Sequence, residues 1–175
     1  ILYAGKEPYM SKNYNKFVLF GIIFTFILGT LLHFVYEWSG SNVIVGIFSP
    51  VNESVWEHLK LLYFPMSLWL LLGYSKFGKN NCNYLFSAII GFLCGAVSIP
   101  LLFYLYTFFT QKSILIVDII IFIIGICISF LVMAFIYKNY AFRCRPVKLL
   151  LIWELIFVLF VIFTIFPPDF FLFKS

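Results

Sequence analysis

The stretch FVLFGIIFTFILGTLLHFVYEW, residues 17–38, decides the fold. Among its 22 residues, only His33 and Glu37 carry groups that titrate or are charged near neutral pH. A helix needs about 20 mostly apolar residues to cross a bilayer, so this stretch is long enough to span a membrane. A signal peptide would have a shorter apolar region and a cleavage site of small residues. This stretch has neither feature, so we expect the span to remain attached.

The whole chain has the composition of a membrane protein. Of its 175 residues, 63% are hydrophobic and 11% are charged, whereas about 25% are charged in a typical soluble protein. We therefore predict an all-α integral bundle of about five transmembrane helices, located in the cell membrane and surrounded by lipid. The predicted spans are 17–38, 50–75, 84–110, 113–137 and 147–167, and together they form one domain, 17–167.

The segments outside the spans are short. We predict a cytoplasmic tail at residues 1–16 and an interfacial aromatic tail at residues 168–175. Met10 with the following Ser-Lys is typical of a native start, so residues 1–9 are left out of the functional argument. The connector SGSNVIVGIFS, residues 39–49, is too short to span and too apolar for an ordinary loop, which favours an interfacial or re-entrant segment.

Basic residues predict the orientation. Nine of the twelve lie on the side of the N-terminus, namely Lys6, Lys12, Lys16, Lys76, Lys79, Lys138, Arg143, Arg145 and Lys148. Only Lys60, Lys112 and Lys174 lie on the other side. The positive-inside rule then predicts a cytoplasmic N-terminus and a C-terminus outside.

Two other features argue against particular functions. The basic residues are scattered singly and form no stripe, so no nucleic-acid partner is expected. The four cysteines, Cys82, Cys94, Cys127 and Cys144, have no metal or redox spacing, and no disulfide framework is expected.

Small and polar residues recur every four positions along the first span. They are Gly21, Thr25, Gly29, His33 and Glu37, which lie on one helical face. Because helices in lipid associate through small residues, this face is predicted to pack on a neighbouring helix. His33 and Glu37 are then turned towards protein.

The richest polar stretch is SPVNESVWEHLK, residues 49–60. Ser49 is suited to cap a helix, Pro50 to its first position and Glu53 to its first turn. One interpretation is a solvated helix start with an internal ion pair. The other is a polar or metal site near the outer face, to which the candidate residues His33, Glu37, Asn52, Glu53, Glu57 and His58 contribute.

Within that candidate site, His33, Glu57 and His58 are the predicted ligands of a divalent metal such as zinc. Two deeper acids, Asp118 and Glu154, are predicted as additional ionisable stations. Each has an alternative interpretation. Asp118 is suited to accept hydrogen bonds at a helix end, and Glu154 to be a neutral or hydrogen-bonded carboxyl needed only for packing.

Residues 33–65 carry two resemblances. The segments HFVYEWSG and SPVNESVWEHLKLLYFP resemble the signature of an uncharacterised family of small multi-pass membrane proteins from Gram-positive bacteria. More distantly, the segment 53–59 is similar to one in the progestin and adiponectin receptor family, relatives of ceramidase-like hydrolases, which implies zinc-dependent hydrolysis. Those proteins use an additional HxxxH pair and seven spans, whereas this chain has two histidines.

Three functions follow as hypotheses. The first is a membrane protein, not an enzyme, that binds or transports a small ion or solute through the His and Glu site. The second is an intramembrane metal-dependent hydrolase or transferase acting on lipid, with Glu53 or Glu37 as general base. The third is a structural or accessory subunit, with a homo-oligomer as one expected assembly.

Overall fold

The computed structural model describes residues 8–79, 81–140 and 145–174, and within these ranges it contains helices and no strand. The elements in chain order are α1 (Pro8–Trp38), α2 (Val43–Phe48), α3 (Val55–His58), α4 (Lys60–Gly73), a π-helical turn (Tyr74–Gly78), α5 (Asn83–Thr110), α6 (Leu115–Asn139), α7 (Pro146–Ile165) and a 3-10 turn (Phe171–Phe173).

Four of these helices are long and apolar enough to cross a membrane: α1 from Lys12 onward, α5, α6 and α7. Large apolar side chains cover the outside of the bundle, where Phe109, Leu71 and Leu115 are 75%, 72% and 71% exposed. An apolar outer surface of this kind is stable in lipid and unstable in water. The predicted class, an all-α membrane bundle, is confirmed.

The predicted first and second spans differ in detail. Helix α1 begins at Pro8 and not near Phe17, so much of the predicted N-terminal tail is helical, while residues 1–7 lie outside the described residues. The predicted continuous span 50–75 is divided into α3, α4 and the π-helical turn, with residues 50–53 outside any helix.

The displaced start of the second span has a local cause. The Ser49 hydroxyl does not cap a helix, because it donates to the Leu32 carbonyl of α1 and accepts from the Tyr36 N–H. Ser54 is the actual cap, and its hydroxyl accepts from the Glu57 N–H. The chain after α2 is therefore held against α1 at Ser49, and the next helix, α3, begins only after Ser54.

The small-residue face of α1 contacts protein. A Cβ atom built on Gly29 would lie 2.7 Å from the Leu61 carbonyl of α4 and 2.8 Å from the Phe122 ring of α6. Thr25 is fully buried. Glu37, at the end of this face, is exposed.

Antiparallel packing gives the bundle two distinct ends. At one end, which we call the His33 end, lie the last turn of α1, the start of α4 and the last turn of α7. At the other, which we call the Lys79 end, lie the π-helical turn and the first turns of α5 and α7. The Lys138 side chain of α6 donates to Asn15 of α1 at this end.

The prediction of no disulfide is wrong for Cys82, which is disulfide-bonded. Disulfide formation depends on the distance and direction of two side chains in the fold, and sequence spacing does not reveal these. Cys94 and Cys127 are free, and Cys144 lies outside the described residues. Since disulfides persist in oxidising compartments, a bonded Cys82 favours an outer location for the Lys79 end, against the count of basic residues.

Labelling in intact cells decides between these two indications of orientation. We retain the positive-inside prediction, so a cysteine replacing exposed Ser113 at the His33 end should react with a membrane-impermeant maleimide added outside. The unsubstituted chain, labelled in parallel, is the control for Cys94 and Cys127. Reaction of Ser113→Cys only after permeabilisation would invert the orientation.

Candidate metal centre

Three side chains converge at the His33 end: His33 from α1, Glu53 from the loop before α3, and His58 from the last position of α3. Each offers one ligand atom, and the three atoms all lie within 4.8 Å of one another. Two imidazoles and one carboxylate are the protein ligands of several catalytic zinc sites. The residue types therefore fit a divalent transition metal.

Hydrogen bonding fixes the orientation of His58. Its Nδ1 lies 2.9 Å from the Ser54 carbonyl oxygen, one turn earlier. A carbonyl only accepts, so this contact requires a proton on Nδ1. The opposite atom, Nε2, then points at the Glu53 carboxylate, 3.4 Å away. Metal-binding histidines are commonly held in this way, with one nitrogen bonded to a carbonyl and the other free to coordinate.

The gap between His58 and Glu53 suits a cation. With Nδ1 donating to the Ser54 carbonyl, the Nε2 atom faces the Glu53 carboxylate at 3.4 Å. Two acceptor atoms at this distance repel each other unless a proton or a metal ion lies between them. A metal ion bound there would therefore compete with a proton.

His33 completes the group from a second helix. Its ring lies 5.0 Å from the His58 ring, centroid to centroid, at an interplanar angle of 69°. Its Nδ1 is shielded from solvent and has no hydrogen-bond partner among the described residues. A shielded ring nitrogen without a partner is costly, and a ligand that bonded it would remove this cost.

The loop that presents Glu53 is ordered by its neighbours. The Asn52 side-chain oxygen accepts from the Ser54 N–H at 2.9 Å, so Asn52 shapes the turn that presents Glu53. Glu53 itself is mostly exposed, with 71% of its side chain accessible, whereas the His58 side chain is 29% accessible. The group thus opens to solvent on the carboxylate side.

Glu57, a predicted ligand beside His33 and His58, lies in a different cluster. Its carboxylate lies 2.6 Å from the Lys60 ammonium, and the two side chains are 2% and 0% exposed. The same carboxylate accepts from the Val51 N–H at 2.9 Å and from the Thr164 hydroxyl at 2.8 Å. Three of the roughly four acceptor positions of this carboxylate are occupied, and its side chain is buried against Lys60, so it is neither a free ligand nor a free base.

Lys60 was not predicted to have a role in the site. Besides Glu57, its ammonium donates to the Gly46 carbonyl at 2.7 Å and to the Ser49 carbonyl at 3.1 Å. We call Glu57, Lys60 and Thr164 the buried ion-pair cluster. It joins α2, the following loop, α3 and α7, and so holds the segment that carries Glu53. The three-residue spacing of Glu57 and Lys60 was the available sequence signal.

The remaining candidates lie apart from the three converging residues. Glu37 is exposed near the end of α1. Asp118 accepts a hydrogen bond from the Tyr106 hydroxyl, which in turn accepts from the Ile114 N–H at 3.0 Å, so it closes the turn between α5 and α6. Glu154 lies on an exposed face of α7.

Fold and site together define a class: a multi-pass helical membrane protein with a group of potential metal ligands at one end of its bundle. Residues 7–175 match the family of unknown function DUF6512, and the chain belongs to that family. No curated protein matches the chain, and no solved structure does.

Proposed function

We propose that the protein binds a divalent transition-metal ion, with zinc as the best-fitting example, through His33, Glu53 and His58 at the outer end of its membrane bundle. The observation that carries the proposal is the convergence of three ligand atoms within 4.8 Å. His33 and His58 are far apart in sequence and lie on different helices, so the fold brings them together. Ligands at about 2 Å from one ion require only small side-chain rotations from this arrangement.

Binding of the ion is better supported than its passage through the bundle. A pathway would need polar groups that continue inward from the site, and Asp118 and Glu154 were the predicted stations. Asp118 is engaged by Tyr106, and Glu154 is on an outward face of α7. We therefore propose a membrane protein that binds an ion, with transport as a separate hypothesis.

Calorimetric titration of purified protein with zinc tests the proposal. We expect one ion per chain, and His58→Ala and His33→Ala should each weaken binding by more than about tenfold, since loss of an outer-shell partner alone costs 10- to 100-fold. Binding should be weaker at pH 5 than at pH 7.5, because protons compete for the ligands. Glu37→Gln, which alters an exposed acid on the same helix, is the matched control.

Unchanged affinity in both histidine variants would contradict the proposal and leave only a surface pair between His58 and Glu53. If Glu37→Gln weakened zinc binding as much as the histidine variants, the binding would depend on the general negative charge of the His33 end and not on these three ligands.

One observation favours the alternative of a metal-dependent hydrolase or transferase. Three protein ligands leave a fourth position open on a tetrahedral zinc ion, as catalytic sites do. Glu53, one of the two predicted bases, is a proposed ligand of the ion, so exposed Glu37 is the predicted base that remains uncoordinated. Hydrolysis of a lipid ester or amide that depends on zinc and is lost in Glu37→Gln would favour this alternative over ion binding alone.

A further inference from the structure

A cavity lies at the Lys79 end, away from the metal-ligand group. Its volume is about 330 Å³, which is at the lower end of the range for small-molecule sites. It is formed where the π-helical turn, the start of α5 and the start of α7 meet, and its lining includes Tyr74, Lys79, Asn81, Leu85, Pro146 and Leu150.

The lining of this cavity is amphipathic. Lys79 and the Tyr74 ring offer a cation and a hydroxyl at the mouth, and both residues are exposed. Leu85 and Leu150 offer apolar surface on two helices that run into the membrane. The cavity therefore combines a place for a polar group with a place for a hydrocarbon chain.

Charge around the cavity is uniformly positive. Three further exposed basic residues are close in sequence to lining residues of the cavity: Lys76, Arg145 and Lys148. Within the described ranges, no salt bridge involves them or Lys79. All acidic residues in those ranges lie at the His33 end, except Glu154 in the middle of α7. An anion entering the cavity would therefore meet cations that form no ion pair with a carboxylate of the described residues.

The start of α7 adds to this field. Arg145 precedes the helix, and its side chain makes no capping hydrogen bond to the first N–H groups. The positive end of the helix dipole favours an anion at this place. Pro146, the first residue of α7, is part of the cavity wall.

We propose that this cavity binds the headgroup of an anionic phospholipid, with its phosphate near Lys79 and an acyl chain along Leu85 and Leu150. Basic pockets between transmembrane helices are suited to such headgroups. The apolar part of the lining favours a lipid over a free phosphate, because only a lipid has an acyl chain that can pack against Leu85 and Leu150. The proposal is independent of the metal site.

Lipid binding in nanodiscs of phosphatidylcholine tests this proposal. Phosphatidylglycerol is titrated in, and binding is followed by native mass spectrometry of the released protein. We expect bound phosphatidylglycerol in excess of its share of the bilayer, and Lys79→Ala should reduce its affinity by about fivefold, the effect of one cation near a charged membrane surface.

Two control variants distinguish binding in the cavity from general electrostatic attraction of the lipid to a basic surface. Lys112→Ala removes an exposed cation at the opposite end, and Lys12→Ala removes one at the same end but outside the cavity lining. Both should retain the enrichment. Leu150→Lys should reduce binding of the lipid while adding positive charge, which a purely electrostatic surface would not do.

Equal losses in Lys79→Ala and Lys12→Ala would overturn the proposal in favour of a diffuse basic surface. Displacement of phosphatidylglycerol by millimolar inorganic phosphate would also overturn it, because the ligand would then be a free anion and the apolar wall irrelevant.

Discussion

Replacing Glu57 with alanine should lower the free energy of unfolding by about 3–5 kcal/mol, the cost of breaking a buried ion pair by removing one partner. The effect is large because Lys60 is fully buried and would lose its carboxylate partner, leaving only two carbonyl oxygens, those of Gly46 and Ser49, as partners. The N–H of Val51 and the hydroxyl of Thr164 would also lose their acceptor.

Unfolding by sodium dodecyl sulfate in mixed micelles measures this loss. The matched control removes both charges together: Glu57→Leu with Lys60→Met should cost much less than Glu57→Ala, since replacement of a buried pair by apolar groups is often neutral or stabilising. A loss in the double variant as large as in the single one would mean that shape and packing, and not the unpaired charge, determine the effect.

The second large effect is expected from Gly29→Leu. A Cβ at this position would lie 2.7 Å from the Leu61 carbonyl and 2.8 Å from the Phe122 ring, so α1 would have to move away from α4 and α6. Overpacking of a well-packed interior typically costs about 1–3 kcal/mol, and sometimes more. A fall in thermal stability in detergent is the expected result.

Thr30→Leu is the matched control for Gly29→Leu. It places the same side chain one position further along α1, on an exposed face, and removes only the local bond from the Thr30 hydroxyl to the Phe26 carbonyl. Its melting temperature should remain close to that of the unsubstituted chain. If Gly29→Leu also left the melting temperature unchanged, the contacts of α1 with α4 and α6 would not contribute to stability.

The sequence predicted the features of the fold that depend on the residues of a single helix, namely where each span lies and which of its faces packs on protein. Span length follows from the apolar runs, and α5, α6 and α7 begin and end within about two residues of their predicted bounds. The four-residue spacing of Gly21, Thr25 and Gly29 predicted the packed face of α1, because helical geometry alone determines which residues share a face. These inferences needed no knowledge of neighbouring helices.

The arrangement of the polar stretch could not be predicted, because it depends on where one helix begins. A helix starting at Ser49 would place Glu53 and Glu57 on one face. With the actual start at Ser54, Glu53 lies in a loop and reaches His58, while Glu57 turns inward. The hydroxyl of Ser49 is used by α1, at Leu32 and Tyr36, and that tertiary contact has no signature in the sequence.

X-ray absorption at the zinc edge tests the central claim most directly. Protein loaded with one zinc ion per chain should give a shell of nitrogen and oxygen ligands at about 2.0–2.2 Å, together with the outer-shell scattering of two imidazole rings. His58→Ala should retain the signal of one ring at most. A spectrum that fits oxygen ligands alone, or one that is identical in the His58→Ala protein, would contradict a metal site formed by His33, Glu53 and His58.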